Sequence, residues 1–396
     1  MTLRPYLITL LLPGILLLGA CGTTDKITQS ISEYMKGKDN SLPPSELVKF
    51  QSTVKIDTLW SIDVGSGTDE QFLRLTPVVD ADTVYTAGHE GQVTAVALAS
   101  GKQLWENETD LPISGGPGVG AGLVVVGTND GDVVALAKDS GKALWRARVS
   151  SEVLAAPRID DGVVIIRTGD GRITALSAAD GKRLWFYDNP VPALSLRGVS
   201  APAIAQGLVV VGLDNGKLLA LELKTGRLAW NATVAVPHGR SDLDRMVDID
   251  SEPLIIDDEI YVATYQGRVA SVSLQNGRLR WARDISSDAG VGANDNALFV
   301  TDEESNVWAL ERLSGTSIWK QEKLLRRRLT APIPLGDYVA VGDFEGYVHW
   351  LRTSDGQFVA RSRVGSDPII ARPIAVGDIL LVYGSGGTLA ALRPQP

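Results

Sequence analysis

The chain of 396 residues has a single cysteine, three histidines and no long run of basic residues. One cysteine cannot form an intramolecular disulfide, so the core alone has to stabilise the folded chain. His89, His238 and His349 show no metal-ligand spacing, and we expect each on a loop or a strand surface. A net charge of −9 argues against a nucleic-acid partner, whose phosphates require Lys and Arg.

Familiar catalytic motifs are missing as well. The sequence contains no nucleophile elbow, no HExxH pair and no Walker motif. The only dense basic cluster is Arg326-Arg327-Arg328. We expect it to be a solvated loop between repeats, with contact to an acidic partner or to lipid headgroups as the alternative.

The N-terminus has the features of a targeting segment. Arg4 is the only charge before Cys21, residues 6–18 are apolar, and small residues precede the cysteine. The segment resembles a bacterial lipobox, which implies cleavage before Cys21, acylation of that residue and, because Gly22 follows, sorting to the outer membrane. A secretory signal with a chance cysteine is the alternative.

The chain then divides into three predicted parts. Polar residues and a Pro-Pro pair follow the cysteine and are typical of a flexible tether, whereas the repeats begin further on. The parts are a signal peptide at 1–20, the acylated cysteine with a polar tether at 21–52, and the folded body at 53–396.

The folded body contains a repeated frame. Six tryptophans each lie nine positions after a Leu or Val and four positions after a Gly. They are Trp105, Trp145, Trp185, Trp230, Trp281 and Trp319. Copies of the frame recur about every 42 residues, eight times in all. Short β-branched runs joined by Asp-Gly and Asn-Gly turns predict four short antiparallel strands per copy, which is typical of a propeller blade.

The two ends of the repeat region predict that the propeller is a closed ring. The eighth copy stops before its outer strand, while residues 55–64 form a spare strand that contains Trp60. The seventh copy is degenerate, since Ala360 replaces its tryptophan. We therefore predict an all-β, eight-bladed propeller of four-stranded antiparallel blades, closed by an N-terminal strand that completes the last blade.

Two adjacent connections between blades are longer than the rest. Trp185 and Pro202 are 17 positions apart, and Trp230 and Pro253 are 23 apart, whereas the other spacings that we compared are 12 or 13. Insertions on one face of a repeat array often form its binding surface.

The content of these connections suggests a docking surface. The first contains Leu194, Leu196 and Arg197, which are apolar and cationic interface residues. The second is acidic, includes Asp248 and Asp250, and is suited to a basic partner. A purely structural role explains the same residues equally well. In that case the leucines pack against their own loop and the aspartates cap turns.

The frame at 137–145 resembles the tryptophan-docking motif of pyrroloquinoline-quinone propellers. Quinoprotein dehydrogenases are one family with this motif, and likeness to them implies a periplasmic enzyme or quinone-binding propeller with a Ca²⁺ site. Those enzymes carry long insertions and, in many cases, a cysteine pair. This chain has nearly bare blades and only one cysteine.

The lipobox, the tether, the eight short blades and the segments 195–198 and 244–250 together resemble the BamB family. Its members are lipoprotein subunits of the outer-membrane β-barrel assembly (BAM) machinery. The resemblance implies a non-catalytic scaffold without a cofactor or metal, held by lipid at the periplasmic face of the outer membrane of a Gram-negative bacterium.

The same resemblance implies a partner and a contact surface. The partner is BamA, through its periplasmic POTRA domains, and unfolded outer-membrane proteins are further candidate partners through strand addition. Carried over residue by residue, the contacts with BamA are assigned to Leu194, Leu196, Arg197, Asp248 and Asp250.

Overall fold

The computed structural model describes residues 42–68, 71–192, 194 and 200–395. The compact unit that contains the strands spans Pro44–Pro396. It therefore begins earlier than residue 53, where the sequence places the start of the folded body. Within the described ranges, the structure has no helix long and apolar enough to cross a membrane.

The described residues form 32 strands. In chain order, the strands of the first half are β1 (Lys55–Asp63), β2 (Val78–Asp80), β3 (Thr83–Ala87), β4 (Gln92–Ala97), β5 (Gln103–Glu108), β6 (Ile113–Gly120), β7 (Leu123–Thr128), β8 (Asp132–Ala137), β9 (Ala143–Arg148), β10 (Arg158–Asp160), β11 (Val163–Arg167), β12 (Ile173–Ser177), β13 (Arg183–Tyr187), β14 (Ala203–Ala205), β15 (Leu208–Gly212) and β16 (Lys217–Glu222). The strands of the second half are β17 (Leu228–Thr233), β18 (Leu254–Ile256), β19 (Glu259–Ala263), β20 (Val269–Ser273), β21 (Leu279–Arg283), β22 (Val291–Ala293), β23 (Ala297–Thr301), β24 (Val307–Glu311), β25 (Ser317–Gln321), β26 (Ile333–Leu335), β27 (Tyr338–Gly342), β28 (Tyr347–Arg352), β29 (Phe358–Arg363), β30 (Ile374–Val376), β31 (Ile379–Tyr383) and β32 (Thr388–Gln395).

These strands form eight antiparallel sheets of four strands, which confirms the predicted propeller. Blades one to seven each use four consecutive strands, from β2–β5 to β26–β29. The eighth has the order β1-β32-β31-β30, so the N-terminal strand completes it, and Trp60 lies opposite Ala391. The second and third strands of each blade are the most buried, because they pack against the neighbouring blades on both faces.

The frame tryptophans close the seams between blades. Trp145 lies on β9, the outer strand of blade two. Its indole packs on Gly181 of blade three and donates from Nε1 to the Ala178 carbonyl at 2.9 Å. A Cβ on Gly181 would lie only 2.6 Å from the indole, and the residue has a φ of +71°, so this position requires glycine.

The same contact recurs at seven of the eight seams. The indole donors and their carbonyl acceptors are Trp60 and Leu98, Trp105 and Lys138, Trp145 and Ala178, Trp185 and Leu223, Trp230 and Leu274, Trp281 and Arg312, and Trp319 and Thr353. The frame is therefore structural, because each tryptophan joins its own blade to the next.

Candidate functional site

The connections between blades lie on the same face as the turns between the second and third strands of each blade. In the connection between blades four and five, the Ile249 amide donates to the Leu213 carbonyl at 3.2 Å. The Tyr265 amide donates to the Asp248 carbonyl at 2.9 Å. Leu213 and Tyr265 belong to such turns of blades four and five, so the connection is fixed against both blades.

Connection 3–4 (residues 188–202) contains the predicted leucines and arginine. The Leu194 side chain is 41% exposed, and Val191 nearby is also exposed. Leu196 and Arg197 lie outside the described residues, as does the predicted lipidation residue Cys21. Of the predicted apolar and cationic contacts, the structure thus places Leu194 alone, and it places that residue on the surface.

Connection 4–5 (residues 234–253) has two different parts. Its tip, residues 238–245, is exposed, and the Leu243 side chain is 62% accessible. Ser241 and Asp244 cap each other there, since each side chain accepts a hydrogen bond from the other's amide at 3.1 Å. Its stem, residues 246–251, is buried beneath the face.

Asp248 and Asp250 lie in the buried stem. Both side chains are almost inaccessible to solvent, at 0% and 5% exposure. This placement differs from the accessible acidic surface suggested by the sequence, because the apolar residues Val247 and Ile249 draw the stem into the interior. Direct contact between either carboxylate and a partner would require the stem to be uncovered.

The electrostatics of Asp250 are unusual. Neither carboxylate oxygen has a hydrogen-bond partner among the described residues. Burial, followed by the nearby Asp248 carboxylate, raises the pKa of Asp250 to about 7. The group therefore gains or loses its proton near neutral pH, in the region that supports both long connections.

A buried ion pair links the supports of the two connections. Arg167 of β11 donates to Asp214 Oδ1 at 2.6 Å, and their side chains are 1% and 7% exposed. Arg167 also donates to the Ser200 carbonyl at 3.4 Å. The Ser200 hydroxyl in turn donates to the Ser251 carbonyl at 2.9 Å. The end of connection 3–4 is thus joined directly to the stem of connection 4–5.

The structure has a third long connection between blades, which the sequence comparison of blade spacings did not include. It covers residues 64–77, between blades eight and one, and its Phe72 side chain is 67% exposed. Arg74 reaches the connection between blades five and six, where it donates to the Asp288 carbonyl at 3.0 Å and carboxylate at 3.2 Å. The signal was available, since Trp60 and Pro77 are 17 positions apart, like Trp185 and Pro202.

No metal centre is formed by the side chains of the described ranges, in which no three or more His, Cys, Asp or Glu residues are placed to hold an ion. Asp214 is paired with Arg167 and is not arranged with Asp248 and Asp250 as a ligand set. His89 lies in the turn between β3 and β4, as expected of a loop residue, although it is buried, whereas His349 differs from expectation because it is buried within β28. Each forms a side-chain hydrogen bond within the ring.

The seam geometry and the bare blades define the class: this is an eight-bladed propeller with tryptophan-docked blades and a candidate docking face on its blade connections. A family profile described as outer membrane protein assembly factor BamB matches residues 55–113 and 89–321. The protein of that name from Pseudomonas aeruginosa is 48% identical over 350 residues, which is 88% of this chain and 92% of the relative. The chain belongs to the BamB family.

Solved structures agree at the level of the fold. BamB from Moraxella catarrhalis superposes with a TM-score of 0.78 at 28% identity, covering 86% of this chain and all of that one. Quinohemoprotein alcohol dehydrogenase from Comamonas testosteroni gives a TM-score of 0.69 at 15% identity, covering 85% of this chain and 76% of that one. The second likeness concerns the propeller fold alone, and a fold does not by itself carry an activity.

Proposed function

We propose that the protein is a non-catalytic scaffold lipoprotein of the outer-membrane β-barrel assembly complex. It binds the POTRA domains of BamA and assists the folding and insertion of β-barrel proteins into the outer membrane. Membership of the BamB family, over nearly the whole chain, is the observation that carries this proposal.

The protein is held at the periplasmic face of the outer membrane by lipid on Cys21. Acyl chains supply the attachment, since each buried methylene contributes about 0.8 kcal/mol. The polar residues that follow Cys21 allow the propeller to stand away from the bilayer.

BamA docks on the face that carries the two long connections. Leu194, Leu196 and Arg197 are the contact residues of connection 3–4, and the exposure of Leu194 supports this role. Asp248 and Asp250 are assigned to the same site. Because both lie in the buried stem, they act mainly by positioning the connections and contact BamA only when the stem is uncovered.

The contact is tested by recovery of BamA from solubilised membranes with the tagged, lipidated protein. The variant in which Leu194, Leu196 and Arg197 are all changed to Ala should lose most of the BamA, because a few anchor side chains dominate interface energies. Leu313→Ala is the matched control, since this exposed leucine lies in a hairpin of blade six outside both connections. Unchanged recovery with the triple variant would refute the assignment.

A further inference from the structure

One seam of the ring lacks the tryptophan contact. Ala360 occupies the tryptophan position of blade seven, and the eighth blade has no frame hairpin to receive an indole because its outer strand comes from the N-terminus. The chain that leads into β1 takes the place of the indole. The amides of Thr53 and Val54 donate to the Val359 carbonyl at 2.9 and 3.3 Å, and the Val54 side chain packs against the hydrophobic cluster that includes Ala360.

The residues before this point are also fixed, to blade seven and to the connection that leads into it. The Ser45 amide donates to the Leu325 carbonyl at 3.0 Å, and Arg327 Nη1 donates to the Ser45 carbonyl at 3.0 Å. Arg361 Nη2 donates to the Val48 carbonyl at 3.1 Å. Two arginines of the ring thus bind backbone carbonyls three residues apart.

An aromatic contact completes the attachment. The Phe50 ring stacks on Phe358 of β29, with centroids 5.3 Å apart and an interplanar angle of 26°. The Arg361 guanidinium lies 5.1 Å from the Phe50 centroid, which adds a cation–π contact. Val48 and Phe50 are partly buried while their neighbour Lys49 is exposed, so the segment turns its apolar side chains toward the ring.

The two arginines are held in place by a buried polar network. Asp343 Oδ2 accepts hydrogen bonds from Arg327 Nε and His349 Nε2, both at 2.8 Å. His349 Nδ1 accepts from Arg361 Nε at 3.2 Å. Burial lowers the pKa of His349, which favours the neutral ring that this arrangement requires. Arg327, which the sequence assigned to a solvated loop, is only 3% exposed and also pairs with Glu345.

We propose that residues 45–54 form a strap that occupies a dedicated site on blade seven and fixes the point at which the lipid tether leaves the ring. The predicted tether then covers only residues 21–44. An extended chain spans at most about 3.6 Å per residue, so release of the strap would lengthen the reach of the tether by up to about 35 Å.

The strap also determines where on the ring the tether begins. Ser45, at the start of the strap, is bonded to Leu325 and Arg327 in the connection between blades six and seven, which is three blades from connection 3–4 in a ring of eight. The strap therefore holds the origin of the tether beside the connection between blades six and seven, away from connection 3–4. The significance of that arrangement rests on the proposed function, whereas the strap itself does not.

Hydrogen exchange of the full mature chain, followed by mass spectrometry, tests the strap. In the wild type, the amides of Ser45, Thr53 and Val54 should be protected like those of blade strands, since all three donate hydrogen bonds to ring carbonyls. Phe50→Ala should accelerate their exchange by about tenfold or more and leave blades two to five unchanged. Phe72→Ala, which removes an exposed phenylalanine elsewhere, should have no effect on the strap.

Arg361→Lys provides a second variant, because it keeps the charge but loses the planar donor group that binds Val48. It should also release the strap. Unprotected amides at Ser45, Thr53 and Val54 in the wild type, or wild-type exchange in both variants, would overturn the proposal. Recovery of BamA by Phe50→Ala should be normal, so failure of the strap and failure of the docking assignment are distinguished by separate measurements.

Discussion

The seam between blades two and three is stabilised mainly by apolar packing, whereas the buried region that supports the two long connections contains ionisable side chains. At the seam, the Trp145 indole packs on Gly181 and makes one hydrogen bond to Ala178. Beneath the connections, Arg167, Asp214 and Asp250 are charged or ionisable side chains in the interior. Buried charge is expensive to desolvate, and an apolar seam shows that the ring can do without it. The polar region is therefore better understood as fixing two particular connections than as stabilising the propeller.

Removing the strand that closes the ring should reduce the stability of the propeller more than any other change considered. Deletion of residues 53–64 takes away β1, including Trp60 and its bond to Leu98, and exposes the edge of β32. We expect the cooperative thermal transition, measured by circular dichroism, to be lost or shifted to much lower temperature. A deletion of equal length within the predicted tether, at 24–35, should leave the transition unchanged; equal melting of both deletion variants would contradict the closure.

Removing one member of the buried ion pair should have the next largest effect. Arg167→Ala leaves Asp214 buried without its cation, which we expect to lower the free energy of unfolding by about 3–5 kcal/mol. Arg148→Ala is the control, because that side chain is 68% exposed in its pair with Asp132 and should cost less than about 1 kcal/mol. Denaturant unfolding of both variants measures the difference, and similar costs would mean that the Arg167 pair is not structural.

The stability that Trp145 contributes to the seam can be divided into a packing contribution and a hydrogen-bond contribution. Trp145→Ala removes the indole from Gly181 and should cost about 3 kcal/mol. Trp145→Phe keeps much of the packing but loses the donor to Ala178, and should cost about 1 kcal/mol beyond the change in ring size. Chemical denaturation gives both values; a larger loss for Phe than for Ala would be inconsistent with the packing account.

Asp250 should give the smallest effect, one that depends on pH. Its folded pKa of about 7 lies above the ordinary value of 3.8, so the folded chain binds more protons than the unfolded chain between these limits. The stability that this group contributes is therefore lost as pH rises from about 4 to about 7. Asp250→Asn should remove that loss and stabilise the protein at pH 8 relative to the wild type. Identical pH profiles of unfolding for both proteins would show that the carboxylate is not desolvated as described.

The fold was accessible from the sequence because its signals are local. The Gly-to-Trp spacing around Trp145 and the spare strand containing Trp60 were enough to predict the blades and their closure, and the structure confirms both. In the sequence, Ala360 at the tryptophan position of blade seven looked like a degenerate copy of the repeat. Its cause lies some 300 residues away, in the segment at 53–54 that occupies the seam.

The candidate site was less accessible, since burial of a charged residue depends on distant partners. Asp248 and Asp250 looked like surface residues because acidic side chains are usually exposed. Their burial follows from the stem and from blade turns that the local sequence does not reveal. In the same way, residues 45–52 resemble a tether in the sequence, and only the structure shows that Arg327, in the connection before blade seven, and Arg361, in blade seven, bind this segment.

The central claim is that the function lies on the two long connections and not on the regular seams. Titration of the purified chain with the purified POTRA domains of BamA, followed by calorimetry, tests it most directly. The account predicts a saturable complex that is weakened at least about 100-fold when Leu194, Leu196 and Arg197 are changed to Ala, and that Leu313→Ala leaves unaffected. Equal affinity of the wild type and the triple variant, or no binding by the wild type, would contradict it.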